Sequence, residues 1–207
     1  MLCAADFSNY RGLKFGMSPS AAAKESGTQS AEATINHARP VLIQEMEWTP
    51  RRSAQADPGT DPVKDGSLNF IKGELFRVVV TYDRNKVEGM TAEDMIEGIS
   101  ATYGLAARPV AEIAYHSIYG ETATVVARWE DPDYCYDLVR TGDQSTFAMV
   151  LYSKRLDALA QSAIVEAVRL EAEEAPQRAL DQQKKRDDES RLALEKARSV
   201  NKPNFRP

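Results

Sequence analysis

Few side chains in this sequence could act as nucleophile, base or metal ligand. Histidine occurs twice, as His37 and His116, and cysteine twice, as Cys3 and Cys135. A catalytic base needs a partner positioned within hydrogen-bond reach. For His116 the acids Asp131, Asp133 and Asp137 could approach from neighbouring strands. Cys135 with His116 would make a nucleophile and base. However, the bulky Tyr134 and Tyr136 flank that cysteine, and no helix N-terminus follows to lower its pKa. A buried strand cysteine and a strand histidine with a local hydrogen bond are the simpler readings. His37 precedes Arg39-Pro40 in a stretch without clear period.

Asp57, Asp61 and Asp65 recur in a polar loop and invite a calcium reading. The helix-loop-helix calcium motif places its acidic ligands at every second residue, which this spacing does not. Asp-Pro and Asp-Gly turns account for the three acids without metal. Cys3 and Cys135 have no metal-ligand spacing, and a disulfide between them cannot be judged from sequence. There is no Gly-rich phosphate loop, no Gly-x-Ser-x-Gly and no His-Glu-x-x-His. No catalytic residue, metal or cofactor is therefore assigned. Aromatic residues are the more useful signal. Trp48, Tyr115, Tyr119, Trp129, Tyr134 and Tyr136 fall on expected strands, with His116 among them. On an uncovered sheet face they would form a binding surface, whereas on a covered face they would be core.

These residues are positioned by an alternation of helix and strand patterns. Ser18 caps a short helix with Pro19 at its first position, and Gly27 ends it. Residues 28–39 show no firm period. Val41 to Thr49 alternate as a strand, and Arg51 to Gly66 form a polar loop. Ser67–Ile71 and Glu74–Tyr82 form a hairpin around Lys72-Gly73. The second arm is apolar on both faces, as a central strand requires. Thr91 and Asp94 make a capping box for a helix with a stripe of Ala92, Met95, Ile96, Ile99 and Tyr103, which Gly104 stops. Four strands follow with short turns: 112–119, 122–130, 134–140 and 145–153, an antiparallel meander. From Arg155 the helical period returns through Leu156, Leu159, Ala163, Ala167 and Leu170. Pro176 is expected to interrupt it, and 176–207 to be a charged helical or disordered tail.

The fold class expected is α+β, with two helix-plus-antiparallel-sheet repeats and a long C-terminal helix. The first segment is 1–15, in which Cys3 and Ala5 read like the end of a signal peptide. The α+β domain covers 16–153, with repeat units 16–83 and 89–153. A docked helix covers 154–175 and the tail 176–207. The repeat rests on Gly16-Met17-Ser18-Pro19 and Gly89-Met90-Thr91-Ala92, each a Gly-Met before a hydroxyl cap. Each opens a helix followed by strands, three in the first unit and four in the second. Two such units can join sheets and share a core.

Length and charge bound the partners. A chain of 207 residues can bury a core without a staple. Net charge −5 disfavours a phosphate backbone, so nucleic acid is not an expected partner. No apolar run reaches transmembrane length.

On Phe15-Gly16-Met17-Ser18 the chain resembles the bacterial envelope folds built from helix-plus-sheet repeats, such as the beta-lactamase inhibitor protein and the small lipoprotein of the outer-membrane assembly machine. It also resembles bacterial proteins of no assigned activity that share Leu75 to Asp83, Thr91 to Ile96 and the ending Asn201 to Pro207. The first resemblance implies a periplasmic or secreted protein, and neither carries a functional residue across. The expected function is a non-enzymatic protein- or peptide-binding or scaffolding module of the bacterial cell envelope. Its candidate binding residues are Trp48, Tyr115, His116, Trp129, Tyr134 and Tyr136. The alternatives are a hydrolase using His116 with nearby acids, and a cytoplasmic structural protein assembling through its C-terminal helix. The oligomeric state is not legible.

Overall fold

Hydroxyl caps and glycines set the helix limits where the sequence places them. The computed structural model describes residues 5–27, 33–49, 61–109, 113–116, 122–141, 146–204 and 206. Helix α1 spans Pro19–Ser26; the Ser18 hydroxyl accepts from the Ala21 amide, and Gly27 closes the helix at φ 66°. Helix α3 spans Ala92–Tyr103, after a single turn, α2, at Arg84–Val87. Both halves of the α3 capping box form: Asp94 N donates to Thr91 Oγ1 at 3.2 Å, and Thr91 N donates to Asp94 Oδ2 at 2.7 Å.

Ten strands occur among the described residues. β1 (Asn9–Tyr10) and β2 (Leu13–Lys14) form a small hairpin. The other eight are β3 (Thr34–His37), β4 (Ile43–Trp48), β5 (Val63–Ile71), β6 (Glu74–Tyr82), β7 (Ile113–His116), β8 (Thr122–Glu130), β9 (Tyr134–Thr141) and β10 (Phe147–Ser153). They form one antiparallel sheet in the order β3-β4-β5-β6-β10-β9-β8-β7. The expected meander of the second half is present, as is the central position of β6, between β5 and β10. The Lys72-Gly73 turn takes positive φ at both residues, 52° and 78°. That is the hairpin turn whose twist matches the strands.

Three expectations change. First, α1 is followed by four strands, not three, because Thr34–His37 adds an edge strand. Its first two residues are exposed and its last two half-buried, so it has no apolar face for a period to reveal. Second, β5 begins at Val63 inside the expected loop. Asp65-Gly66 reads as a turn, but Gly66 is in the strand, where a side chain would run into the Val79 carbonyl and the Trp48 ring. Third, residues 5–15 are not a separate segment. Phe7, Tyr10 and Leu13 are buried in the core. Residues 1–4, including Cys3, lie outside the described residues.

One face of the sheet carries the main core. Trp48, Leu68, Phe70, Val80, Trp129 and Tyr136 share it with Ala22 and Ala23 of α1 and Met95 of α3. Val139, Ala148 and Val150, of the opposite parity, form a second cluster with Val125, which reaches that face because β8 shifts register between Val125 and Ala127. Helix α4 runs Lys154–Asn201. Leu156, Ala160 and Ala163 in its first turns are buried, and Arg77, 4 % exposed, donates to Asp157 at 2.9 and 2.5 Å.

The chain divides into two compact units, residues 1–163 and 164–207. In the second unit the helix continues through Pro176 rather than stopping there. A proline removes one intrahelical donor and crowds the preceding turn. At that turn Arg178 supplies a side-chain donor, 2.9 Å from the Glu171 carbonyl. Beyond it Leu180, Leu192, Leu194 and Val200 are exposed. Arg191 pairs with Asp188 at 3.0 Å, and Arg169 pairs with both Glu166 and Glu173.

Candidate functional site

The four aromatic residues singled out from sequence whose side chains are described, Trp48, Trp129, Tyr134 and Tyr136, do not make an open surface. Trp48, Trp129 and Tyr136 are 4 %, 1 % and 0 % exposed, on the sheet face that the helices cover. Trp129 lies beneath α3. Its indole N–H donates to the Gly104 carbonyl at 3.0 Å and to Ser100 Oγ at 3.2 Å, tying the end of that helix to β8. Tyr136 meets Phe7 and Tyr103 edge-on, at 5.1 and 5.0 Å between centroids. Half-buried Tyr134 stacks on Phe15. These rings pack because α3 and the N-terminal hairpin cover the strands that carry them. Tyr115 and His116 lie on β7, whose backbone pairs with β8; their side chains, and all of Tyr119, lie outside what the structure describes.

Two of the three acids proposed as partners for His116, Asp131 and Asp137, are occupied. Asp131 Oδ1 accepts from the amides of Asp133 and Tyr134, which builds the β8–β9 turn. Asp137, 2 % exposed, receives both Arg128 Nε and Nη2, at 2.7 and 2.9 Å. The Tyr152 hydroxyl and the Cys135 thiol also point at it, at 3.4 and 3.6 Å. Cys135 is a free, fully buried cysteine. Burial, then the adjacent Asp137 carboxylate, pushes its thiol up to about 12, so it stays protonated and is no nucleophile near neutral pH. Among the described residues no group of three His, Cys, Asp or Glu could hold a metal. Asp57 lies outside those residues. Asp61, another of the three loop acids, forms a salt bridge with Arg11.

That salt bridge borders a cleft of about 330 Å³ between α3 and the sheet. Five segments build it. The β1–β2 turn brings Tyr10 and Arg11, and the start of β5 brings Val63. The end of β6, with α2 behind it, brings Tyr82 and Val87. Helix α3 and its cap bring Met90, Met95, Gly98, Ile99 and Tyr103, with Met149 of β10 also in the wall. Arg11 makes a two-pronged bond to Asp61, at 2.7 and 2.9 Å, and its guanidinium lies 5.6 Å from the Tyr10 ring centre. The Arg11 hydrogen bond holds the Asp61 carboxyl below its usual range. Burial pushes the Tyr10 hydroxyl up to about 12 and raises those of Tyr82 and Tyr103 as well. All three remain protonated donors at neutral pH.

A mostly apolar hollow with a few convergent polar groups is the usual form of a small binding site, and this one falls at the low end of the usual size range. The sequence held one signal for it. Gly98 interrupts a helix interior, where glycine is unfavourable by about 0.5–1 kcal/mol relative to alanine. A side chain added there would meet nothing within 4 Å. That position of the cleft lining therefore faces open space.

No protein-family model matches the chain, and no curated protein or solved structure matches it.

Proposed function

We propose that this chain is a non-enzymatic binding module of the bacterial cell envelope, and that the cleft under α3 seats an apolar group of a protein or peptide partner. The observation that carries this reading is the cleft itself, mostly apolar in its walls, with Gly98 in its lining beside open space. The three methionines of the lining, Met90, Met95 and Met149, suit the role, because the unbranched thioether adapts to varied apolar partners. The sheet order supports a tandem-repeat reading of the scaffold. Each half gives a capped helix followed by a four-stranded meander, and the last strands of the two halves, β6 and β10, meet in the centre. Envelope placement rests on the likeness at Phe15 to Ser18.

Selection of displayed random peptides against the whole chain tests the module. Retained peptides should carry a large apolar residue, and Gly98→Phe should weaken them at least about tenfold, the equivalent of about 1.4 kcal/mol. Peptides that bind the Gly98→Phe chain as well as the parent would sink the cleft assignment. Recovery of the native protein in the cytoplasmic fraction of its host would sink the envelope assignment.

A further inference from the structure

From Glu171 to Asn204 every residue except Glu174 is exposed. Helix α4 nevertheless continues through Pro176, where a backbone donor is missing. Helices in proteins draw most of their stability from packing an amphipathic face, and a solvated helix gains little from propensity alone. A helix this long and this bare is expected to bury a face against a partner.

Such a face is present. At about 100° per residue, Val165, Val168, Ala172, Ala179, Leu194 and Ala197 fall within an arc of about 80°. Val165, Val168 and Leu194 are 71 %, 54 % and 69 % exposed. Leu180 and Val200 border the arc, one on each side, and are exposed as well. The middle of the arc is polar, with Gln183, Arg186 and Ser190, and Leu192 lies on the opposite side of the helix.

Charge selects the partner and its direction. Residues 164–181 carry five acidic side chains against two basic ones, and residues 182–207 carry eight basic against four acidic. Complementing the helix dipole requires charge only in the terminal turns, whereas this polarity extends over the whole length. Two copies lying parallel would set acidic half beside acidic half and basic beside basic. Two copies lying antiparallel set each acidic half beside a basic one, and charges flanking an apolar seam decide orientation in this way. Full antiparallel overlap of Ile164 to Asn201 also brings Val168 opposite Ala197 and Val165 opposite Val200, and it sets Gln183 against the glutamines of its own copy at the midpoint.

We propose that α4 pairs antiparallel with α4 of a second copy of this chain along the face from Val165 to Ala197, the acidic half of each helix beside the basic half of the other. The pairing is independent of the cleft under α3.

Sedimentation equilibrium of the full chain reads the association state, and the distance between two spin labels reads the direction. The label is carried on Ser199→Cys in a Cys3→Ser background; Ser199 is exposed and lies away from the paired face, and Cys135 is buried and stays unlabelled. A dimer is expected, with the labels about 50 Å apart, from a rise of about 1.5 Å per residue between position 199 and its opposite at 166. Val168→Asp with Leu194→Asp should weaken the dimer at least about tenfold. The same pair should leave unfolding followed by the fluorescence of Trp48 and Trp129 unchanged, which shows that the first unit still folds. Raised salt should weaken the dimer, because it screens exposed charges. A chain that stays monomeric up to about 100 µM, where even a weak pairing would be seen, overturns the proposal, and so does an assembly larger than a dimer. A dimer with labels within about 30 Å overturns the antiparallel direction, since packed helix axes lie only about 8–10 Å apart. A dimer indifferent to the two substitutions overturns the assigned face, and one indifferent to salt overturns the charge pairing.

Discussion

Gly16-Met17-Ser18 and Gly89-Met90-Thr91 open α1 and α3 in the same way, with a glycine at φ 87° or 80° followed by a hydroxyl cap. The two helices are nevertheless attached differently. At α1 the cap is joined to the sheet: Gly16 N donates to the Leu75 carbonyl at 2.8 Å, and Leu75 N donates to the Met17 carbonyl at 2.9 Å. Alanines then bring the helix close, with Ala22 and Ala23 buried. At α3 the cap bonds locally, Met90 N to the Val87 carbonyl at 3.0 Å. The helix is held at its far end, where Trp129 reaches Ser100 and Gly104. Long side chains and Gly98 stand between, and the cleft is the space they leave. One capping device thus gives a closed contact in one half and an open one in the other. The difference lies in side-chain size and in where the backbone is attached.

Substitutions at the two helices can break that contrast. The largest effect is expected from Trp129→Ala, which removes the largest fully buried ring and the attachment of α3 together. A loss of about 3–5 kcal/mol in denaturant unfolding is expected; less than about 1 kcal/mol would mean that α3 is held elsewhere. Ala22→Leu comes next. Ala22 is 0 % exposed, and overfilling a packed contact costs about 1–3 kcal/mol. A neutral result would show that α1 has slack of its own and would dissolve the distinction. The smallest effect, opposite in sign, belongs to Gly98→Ala. With open space around its Cβ, this change should stabilise the chain by about 0.5–1 kcal/mol through helix propensity alone. A destabilisation would show that the cleft wall is tighter than its geometry implies.

Much of the architecture was legible locally. The capping box at Thr91 and Asp94, the stop at Gly104 and the Lys72-Gly73 turn each depend on neighbours in the chain, and each formed. The double apolar face of Glu74–Tyr82 revealed a central strand, because only a strand covered on both sides can bury both parities. Thr34–His37 escaped because an edge strand with exposed residues has no period to show. Pro176 misled because a local penalty of about 3 kcal/mol was outweighed along a helix otherwise rich in good formers.

The functional features divide along the same line. Sequence alone determined the antiparallel α+β class, the two similar caps and the long C-terminal helix, because periodicity and turn chemistry are short-range properties. Which aromatics would be buried was not short-range. Trp48, Trp129 and Tyr136 alternate like any half-buried strand residues, and only the seating of α3 and the N-terminal hairpin decided that their face was the covered one. The cleft was still further from view. Tyr10, Tyr82 and Tyr103 belong to three separate segments, and the pairing of Arg11 with Asp61 spans 50 residues. Their convergence exists only once the hairpin, β6 and α3 have packed together.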